Sequence, residues 1–335
     1  MNKGFNPFLF NKFMNLFLNM MIMGTLISIS SYSWLGMWMG LEINLISIIP
    51  LLKSKSLFSS EASIKYFLTQ ALASALIMFS IIMMMEKESL NISHLSMMIM
   101  STGLLTKMGA APFHFWFPEI LEGLNWINSL LMLTWQKVAP MVLLMYNSYI
   151  SWFFYIIILS SMIVSSMIGF NQTSIRKILA YSSINNIGWM MPCILFSQMI
   201  WLIYLIIYIV ISINLVMIFL YYNIFHLNQL NMVMNFSTSM KLITMFNFLS
   251  LGGLPPFIGF YSKWLVISLM MEQKFSIMIL IMIMFTLLVL YYYIRMMFST
   301  MMFSYSMVYK KFYANNYIMM MNLISLMILP LMILL

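Results

Sequence analysis

A chain of 335 residues that is 63% hydrophobic and only 7% charged cannot clothe itself in polar groups, since a soluble domain carries about 25% charged residues. A soluble enzyme is excluded, and so is intrinsic disorder, which requires low hydrophobicity and high charge. The net charge of +9 is too thinly spread for a nucleic-acid stripe and suits loops that orient membrane spans among phospholipids. The apolar runs are continuous rather than alternating, which excludes a β-barrel. They predict an all-α integral membrane protein of about eleven transmembrane helices, each needing about 20 residues to cross.

In chain order the predicted spans are 13–31, 34–52, 62–85, and 94–111 with a broken continuation to 121. They continue with 127–147, 151–170, 175–196, 199–222, 240–271 containing a break, 276–298 and 318–335. The first residues combine a basic start with an apolar run and no small-residue cleavage site, so they read as a retained first helix rather than a signal or transit peptide. The longest predicted loops, 223–239 and 299–316, cannot house a catalytic domain, so residues 1–335 form one polytopic membrane domain.

Sorting the sixteen basic residues by side gives Lys3, Lys12, Lys53, Lys55, Arg176, Lys177, Lys241, Arg295, Lys310 and Lys311 on the N-terminal side. Only Lys87 and Lys274 fall on the other. This asymmetry is a positive-inside signal for an odd number of spans. Lys65, Lys107, Lys137 and Lys263 are left inside apolar segments, with Glu42.

Two segments carry helix breakers: Lys107-Met-Gly-Ala-Ala-Pro-Phe-His-Phe-Trp-Phe-Pro118, and Leu251-Gly-Gly-Leu-Pro-Pro-Phe-Ile-Gly-Phe-Tyr-Ser-Lys263-Trp264. Irregular backbone at membrane depth survives only inside protein or beside a wet cavity. Paired interruptions point to a transporter site in an inverted repeat. The expected repeats are five helices over 13–147 and five over 151–298, followed by a loop and a C-terminal helix over 299–335.

An ionisable group inside the membrane is by default a functional candidate. Glu42 lies about 12 Å from its span's start at Trp34, and Lys107 about 20 Å past His94, so their depths differ by about 8 Å. The pair is within reach if the helices adjoin; the competing readings are a structural Glu and a snorkelling Lys. Lys137, ten residues into its span and beside Pro140, lies near mid-membrane at about 15 Å. Lys263 follows the second break. Lys65, with Glu61 at i−4, reads as an interfacial ion pair, and Glu119 and Glu122 as interfacial. His114 could link the Lys107 site to water, or be inert. His94 and His226 read as loop histidines. The patch Tyr181-Ser-Ser-Ile-Asn-Asn186 orders water or bonds helices together, and the Trp and Tyr residues read mostly as interface belts. Cys193 stands alone, and no nucleotide loop, metal constellation or redox motif occurs.

These strings, together with Gly40-Leu-Glu42-Ile-Asn44, Glu61-Ala-Ser-Ile-Lys65-Tyr-Phe-Leu-Thr-Gln70, Thr134-Trp-Gln-Lys137-Val-Ala-Pro140 and Asn171-Gln-Thr-Ser-Ile-Arg-Lys-Ile-Leu-Ala-Tyr-Ser-Ser183, carry a resemblance that covers residues 34–298. The chain resembles the antiporter-like subunits of the respiratory complex I membrane arm, in their mitochondrially encoded form. The resemblance implies that Glu42 matches the family's charge-pair glutamate and Lys107 its partner. By the same match Lys137 is the central relay lysine and Lys263 the lysine of the second broken helix, with Lys65 and His114 as possible supports. It implies proton translocation coupled to NADH:ubiquinone electron transfer, without a redox centre in this chain; FMN, iron–sulfur clusters and ubiquinone belong to other subunits. The implied partners are other membrane-arm subunits, including neighbouring antiporter-like chains. The implied location is the mitochondrial inner membrane, N-terminus in the matrix and C-terminus in the intermembrane space. The 43 Met and the absence of Asp fit an AT-rich invertebrate mitochondrial genome. A free-standing cation/proton antiporter and a non-conducting subunit of the same fold remain alternative expectations.

Overall fold

The computed structural model describes residues 7–54, 56–85, 90–147, 151–234, 238–255, 257–302 and 322. The predicted last span apart from Asn322, residues 303–316 of the predicted loop before it, and Lys3, Lys55, Lys87, Lys310 and Lys311 lie outside the described residues. The described residues are helical apart from short connections and one isolated bridge between Ser174 and His226. Among the described residues seven helices are long and apolar enough to cross a membrane. The chain divides into two compact units, one of residues Met1–Gly109 and Phe113–Phe153, the other of Ala110–Pro112 and Phe154–Leu335.

The first unit contains α1 (Pro7–Ser30), α2 (Trp34–Leu52), α3 (Leu57–Met85), α4 (Leu90–Met108), α5 (Trp116–Gly123), α6 (Trp126–Leu133) and α7 (Trp135–Tyr146). Ser33 caps α2, its hydroxyl accepting from Gly36 N at 3.2 Å. Helix α3 is the hub: it packs against α2, α4 and α5, while α7 packs against α1 and α4. Side-chain amides and an indole tie these apolar rods together where lipid offers no alternative partner. Trp38 Nε1 donates to Ser74 O at 3.1 Å, Asn128 Nδ2 to Leu51 O at 2.9 Å and Asn147 Nδ2 to Met97 O at 2.8 Å. His94 lies within α4 rather than in a loop, because the helix begins at Leu90.

The second unit contains α8 (Ser151–Gly169) from Phe154 onward, α9 (Ile175–Phe196), α10 (Gln198–Tyr222), α11 (Leu227–Met234), α12 (Thr238–Gly252), α13 (Ile258–Glu272) and α14 (Ser276–Met302). Helix α9 is buried from Ile178 to Ile194 without interruption, although it carries Ser182, Ser183, Asn185 and Asn186. Its serines satisfy their hydroxyls within the helix, Ser182 on Leu179 O at 2.8 Å and Ser183 on Ala180 O at 2.7 Å. Helices α10 and α13 pack on it.

Helices near the surface carry stripes of exposed large apolar side chains at helical spacing. On α3 these are Ile64, Leu68, Leu72, Leu76 and Phe79, and on α14 Ile277, Leu280, Met284, Leu287 and Tyr291. A soluble monomer does not leave such faces to water; lipid or other apolar protein covers them.

Candidate functional site

The two helix breaks place the chemistry. Each follows a glycine in the left-handed region, Gly109 at φ 72° and Gly253 at φ 78°. A residue with a Cβ adopts that conformation at a cost of about 1–2 kcal/mol, and glycine freely. The break after α4 leaves Lys107 in that helix's last turn. The break after α12 places Lys263 in the second turn of α13.

Lys107 is 7% exposed and lines a small polar cavity in the first unit, about 260 Å³ of space between atoms, together with Leu41, Asn44, Leu45, Tyr66, Gln70, Gln136 and Pro140. Gln136 Nε2 donates to Asn44 Oδ1 at 3.0 Å, Tyr66 Oη donates to Gln136 Oε1 at 3.3 Å, and Gln70 Nε2 donates to Lys107 O at 3.4 Å. Glu42, two residues before Asn44 on α2, lies within electrostatic range of Lys107. The two do not form a direct ion pair; Glu42 Oε1 is buried without a hydrogen-bond partner among the described residues. Helix α3 packs against both their helices.

Lys137 is 2% exposed, with Nζ 5.3 Å from the centre of the Phe117 ring. Its helix restarts at Trp135 after an irregular Thr134. His114 is buried beside Phe115, ring centres 4.5 Å apart, and is not among the residues lining the cavity. Lys65 makes its ion pair with Glu119 on α5, Nζ to Oε2 2.8 Å, in place of the expected Glu61. Both side chains are more than half exposed. The i−4 spacing permitted Glu61, but the packing of α5 on α3 supplies a carboxylate in better position.

In the second unit Lys263 Nζ donates to Gly252 O at 2.7 Å and Leu251 O at 3.3 Å. These are carbonyls of the final turn of α12, which lack helical partners and carry the negative end of the helix dipole. The ammonium also faces the Trp189 ring at 5.8 Å. A second small cavity, about 210 Å³ between atoms, is lined by Lys263, Ser262, Ser250, Asn186, Tyr204 and Tyr208 among others. Tyr204 Oη donates to Asn186 Oδ1 at 2.9 Å, joining α10 to α9, and Asn186 Nδ2 donates to Ser182 O at 2.9 Å. The polar patch on α9 thus bonds helices together and borders the Lys263 cavity.

Reading the residues alone missed Asn44, Tyr66, Gln70, Gln136, Tyr204 and Tyr208. Buried amides in apolar spans are costly unless bonded, and that signal could have singled out Gln70 and Gln136. The tyrosines were expected mostly at interfaces, yet Tyr66, Tyr204, Tyr208, Tyr292 and Tyr293 are all buried. Tyr66 and Tyr204 bond to side-chain amides inside the bundle, and Tyr208 lines the Lys263 cavity. Among the described residues no group of three or more His, Cys, Asp or Glu gathers to hold a metal.

Residues 31–291 match the family model described as "NADH:quinone oxidoreductase/Mrp antiporter, TM". The chain belongs to that family. Among similar members of this antiporter family, NADH-ubiquinone oxidoreductase chain 2 of Anopheles gambiae is 48% identical over 297 residues, which is 87% of this chain and 86% of the relative. The protein of the same name from Aedes aegypti is 48% identical over 327 residues, 93% of this chain and 95% of its own. A chain in the solved structure of respiratory complex I from Thermus thermophilus superposes with a TM-score of 0.85. It covers 95% of this chain and 77% of that chain at 21% identity, a likeness of fold. As an antiporter-family member the chain is a multi-pass membrane protein.

Proposed function

We propose that this chain is a core membrane-arm subunit of mitochondrial complex I and takes part in proton translocation through Glu42, Lys107, Lys137 and Lys263. The observation that carries the reading is the burial of three lysines inside an apolar helical bundle, with Lys107 lining a small polar cavity and Lys263 a small cavity bordered by Ser250, Ser262, Asn186, Tyr204 and Tyr208. An ammonium at such depth costs several kcal/mol unless paired or hydrated, so its retention needs a use. The chemistry is proton exchange: an N–H of a protonated lysine passes its proton on and leaves a neutral amine, which is recharged from the other side. A carboxylate near an ammonium favours its charged form, so a change in the Glu42–Lys107 separation makes Lys107 a better or worse proton donor. Redox energy is released in other subunits and reaches this chain as electrostatic or conformational change. The family relatives named NADH-ubiquinone oxidoreductase chain 2 support placement in the mitochondrial inner membrane. The excess of basic residues on the N-terminal side supports a matrix N-terminus and, with eleven spans in two inverted five-helix repeats, an intermembrane-space C-terminus.

The test is Lys137→Met in the intact complex in sealed vesicles. The expected result is an assembled complex that moves fewer protons per electron. An assembled variant with undiminished stoichiometry removes Lys137 from the relay, and with it the distinction from a non-conducting subunit.

A further inference from the structure

We infer that Gln136 is the positioning residue of the first unit's site, the side chain that holds the Glu42 helix and the Lys107 cavity at a working separation. The inference rests on the proton-transfer reading above. Gln136 is 9% exposed and stands at the start of α7, where the irregular Thr134 interrupts the helix and Lys137 follows at once. Its amide is the junction of three helices. The nitrogen donates to Asn44 Oδ1 on α2 at 3.0 Å, and the oxygen accepts from Tyr66 on α3 at 3.3 Å. An amide has a donor end and an acceptor end. The hydroxyl of Tyr66 occupies the acceptor end and turns the NH₂ toward Asn44.

The chain of contacts then reaches both charged groups. Asn44 lies two residues beyond Glu42 on α2. Tyr66 lies one helical turn before Gln70, whose amide donates to Lys107 O at 3.4 Å. Asn44, Tyr66, Gln70, Lys107 and Gln136 supply the polar side of the same cavity. Glu42 and Lys107 form no direct hydrogen bond, so coupling between the two charges acts through space and falls off with separation. Whatever sets the distance between α2 and α4 therefore sets the strength of that coupling. Helix α3 packs against both, and Gln136 is hydrogen-bonded to α2 and to α3 at the level of the cavity. The titratable side chains lining the cavity are Tyr66 and Lys107; Glu42 and Lys137 each adjoin a lining residue, Leu41 and Gln136, and Glu61, Lys65, His94 and Tyr146 lie on the same helices outside the lining.

The experiment uses the intact complex in sealed vesicles and measures protons moved per electron beside NADH oxidation. Gln136→Leu is expected to lower the proton-to-electron ratio in the same direction as Lys137→Met but to a smaller extent. Asn44→Gln and Gln136→Asn, which move one methylene across the same bond, are expected to lower the ratio singly and restore it when combined. Tyr66→Phe, which deletes one hydroxyl, is the milder variant if Gln136→Leu does not assemble, and is expected to lower the ratio as well. A full ratio in assembled Gln136→Leu, or in Tyr66→Phe where Gln136→Leu is lost, overturns the role. So does a parallel fall of oxidation and pumping at constant ratio, the mark of mere structural damage. If Lys137→Met also keeps a full ratio, the relay reading itself fails; if only Lys137→Met lowers it, the relay stands and the positioning role falls.

Discussion

A hydrogen bond between two buried side chains in a membrane bundle is worth about 0.6 kcal/mol on average and up to about 1.7. The Tyr204–Asn186 bond at 2.9 Å joins α10 to α9, the helix whose surface is most completely enclosed by protein. Tyr204→Phe removes the donor and leaves Asn186 Oδ1 with one partner fewer in a site without bulk water. The expected outcome is a loss of about 1 kcal/mol in stability, read as a lower midpoint in detergent denaturation of the purified complex. The residues that stood out in the sequence were those that the membrane makes expensive: Glu42, Lys65, Lys107, Lys137 and Lys263 are the ionisable side chains placed inside apolar runs, and Lys107, Lys137 and Lys263 are buried. Gln136 and Tyr204 did not stand out. Their meaning comes from a partner on another helix, Asn44 ninety-two positions away and Asn186 eighteen, and no local pattern encodes that.

At the scale of the helix, both breaks were legible because glycine and proline act on their own backbone. The termini follow accordingly: α4 stops at Met108 before Gly109, and α12 stops at Gly252 before Gly253. What was not legible is that Lys263 folds back to cap the helix before the break, since that needs the relative placement of α12 and α13. Glycines at this break differ in purpose, and a matched pair of variants separates them. A Cβ on Gly259 would meet Ser250 O at 1.7 Å, an impossible approach that forces α13 away from the end of α12. A Cβ on Gly252 would meet nothing nearer than Leu290 Cγ at 3.5 Å. Gly259→Ala is expected to lower the amount of assembled complex on a native gel, with destabilisation of about 1–3 kcal/mol or more as for an overpacked core. Gly252→Ala is expected to assemble normally. Equal assembly of the two would mean that the α12–α13 contact does not hold the second cavity together.

At the scale of the whole chain, the membrane reading rests on faces rather than on counts. Among the described residues seven helices meet the length and hydropathy of a span, against about eleven spans predicted for the whole chain. The difference lies partly in α9, which is too polar, and in α12 and α13, each 15 residues long. These are the helices that carry or face Asn186 and Lys263, so the elements that look least like spans are those that build the second unit's cavity. Helix α3 makes the opposite case. Its inner face donates Tyr66 and Gln70 to the site, and its outer face, Ile64 to Phe79, is apolar and exposed at helical spacing. A free-standing cation/proton antiporter would need only lipid on such faces, whereas a membrane-arm subunit needs neighbouring chains on part of them. Apolar helix faces packed in protein survive mild detergent, while faces covered by lipid are simply recoated. Solubilised gently, the chain is therefore expected to co-migrate on a native gel with NADH-dehydrogenase activity. Migration alone, or as a homo-oligomer without that activity, would favour the antiporter and move the energy source for any proton step from electron transfer to an ion gradient.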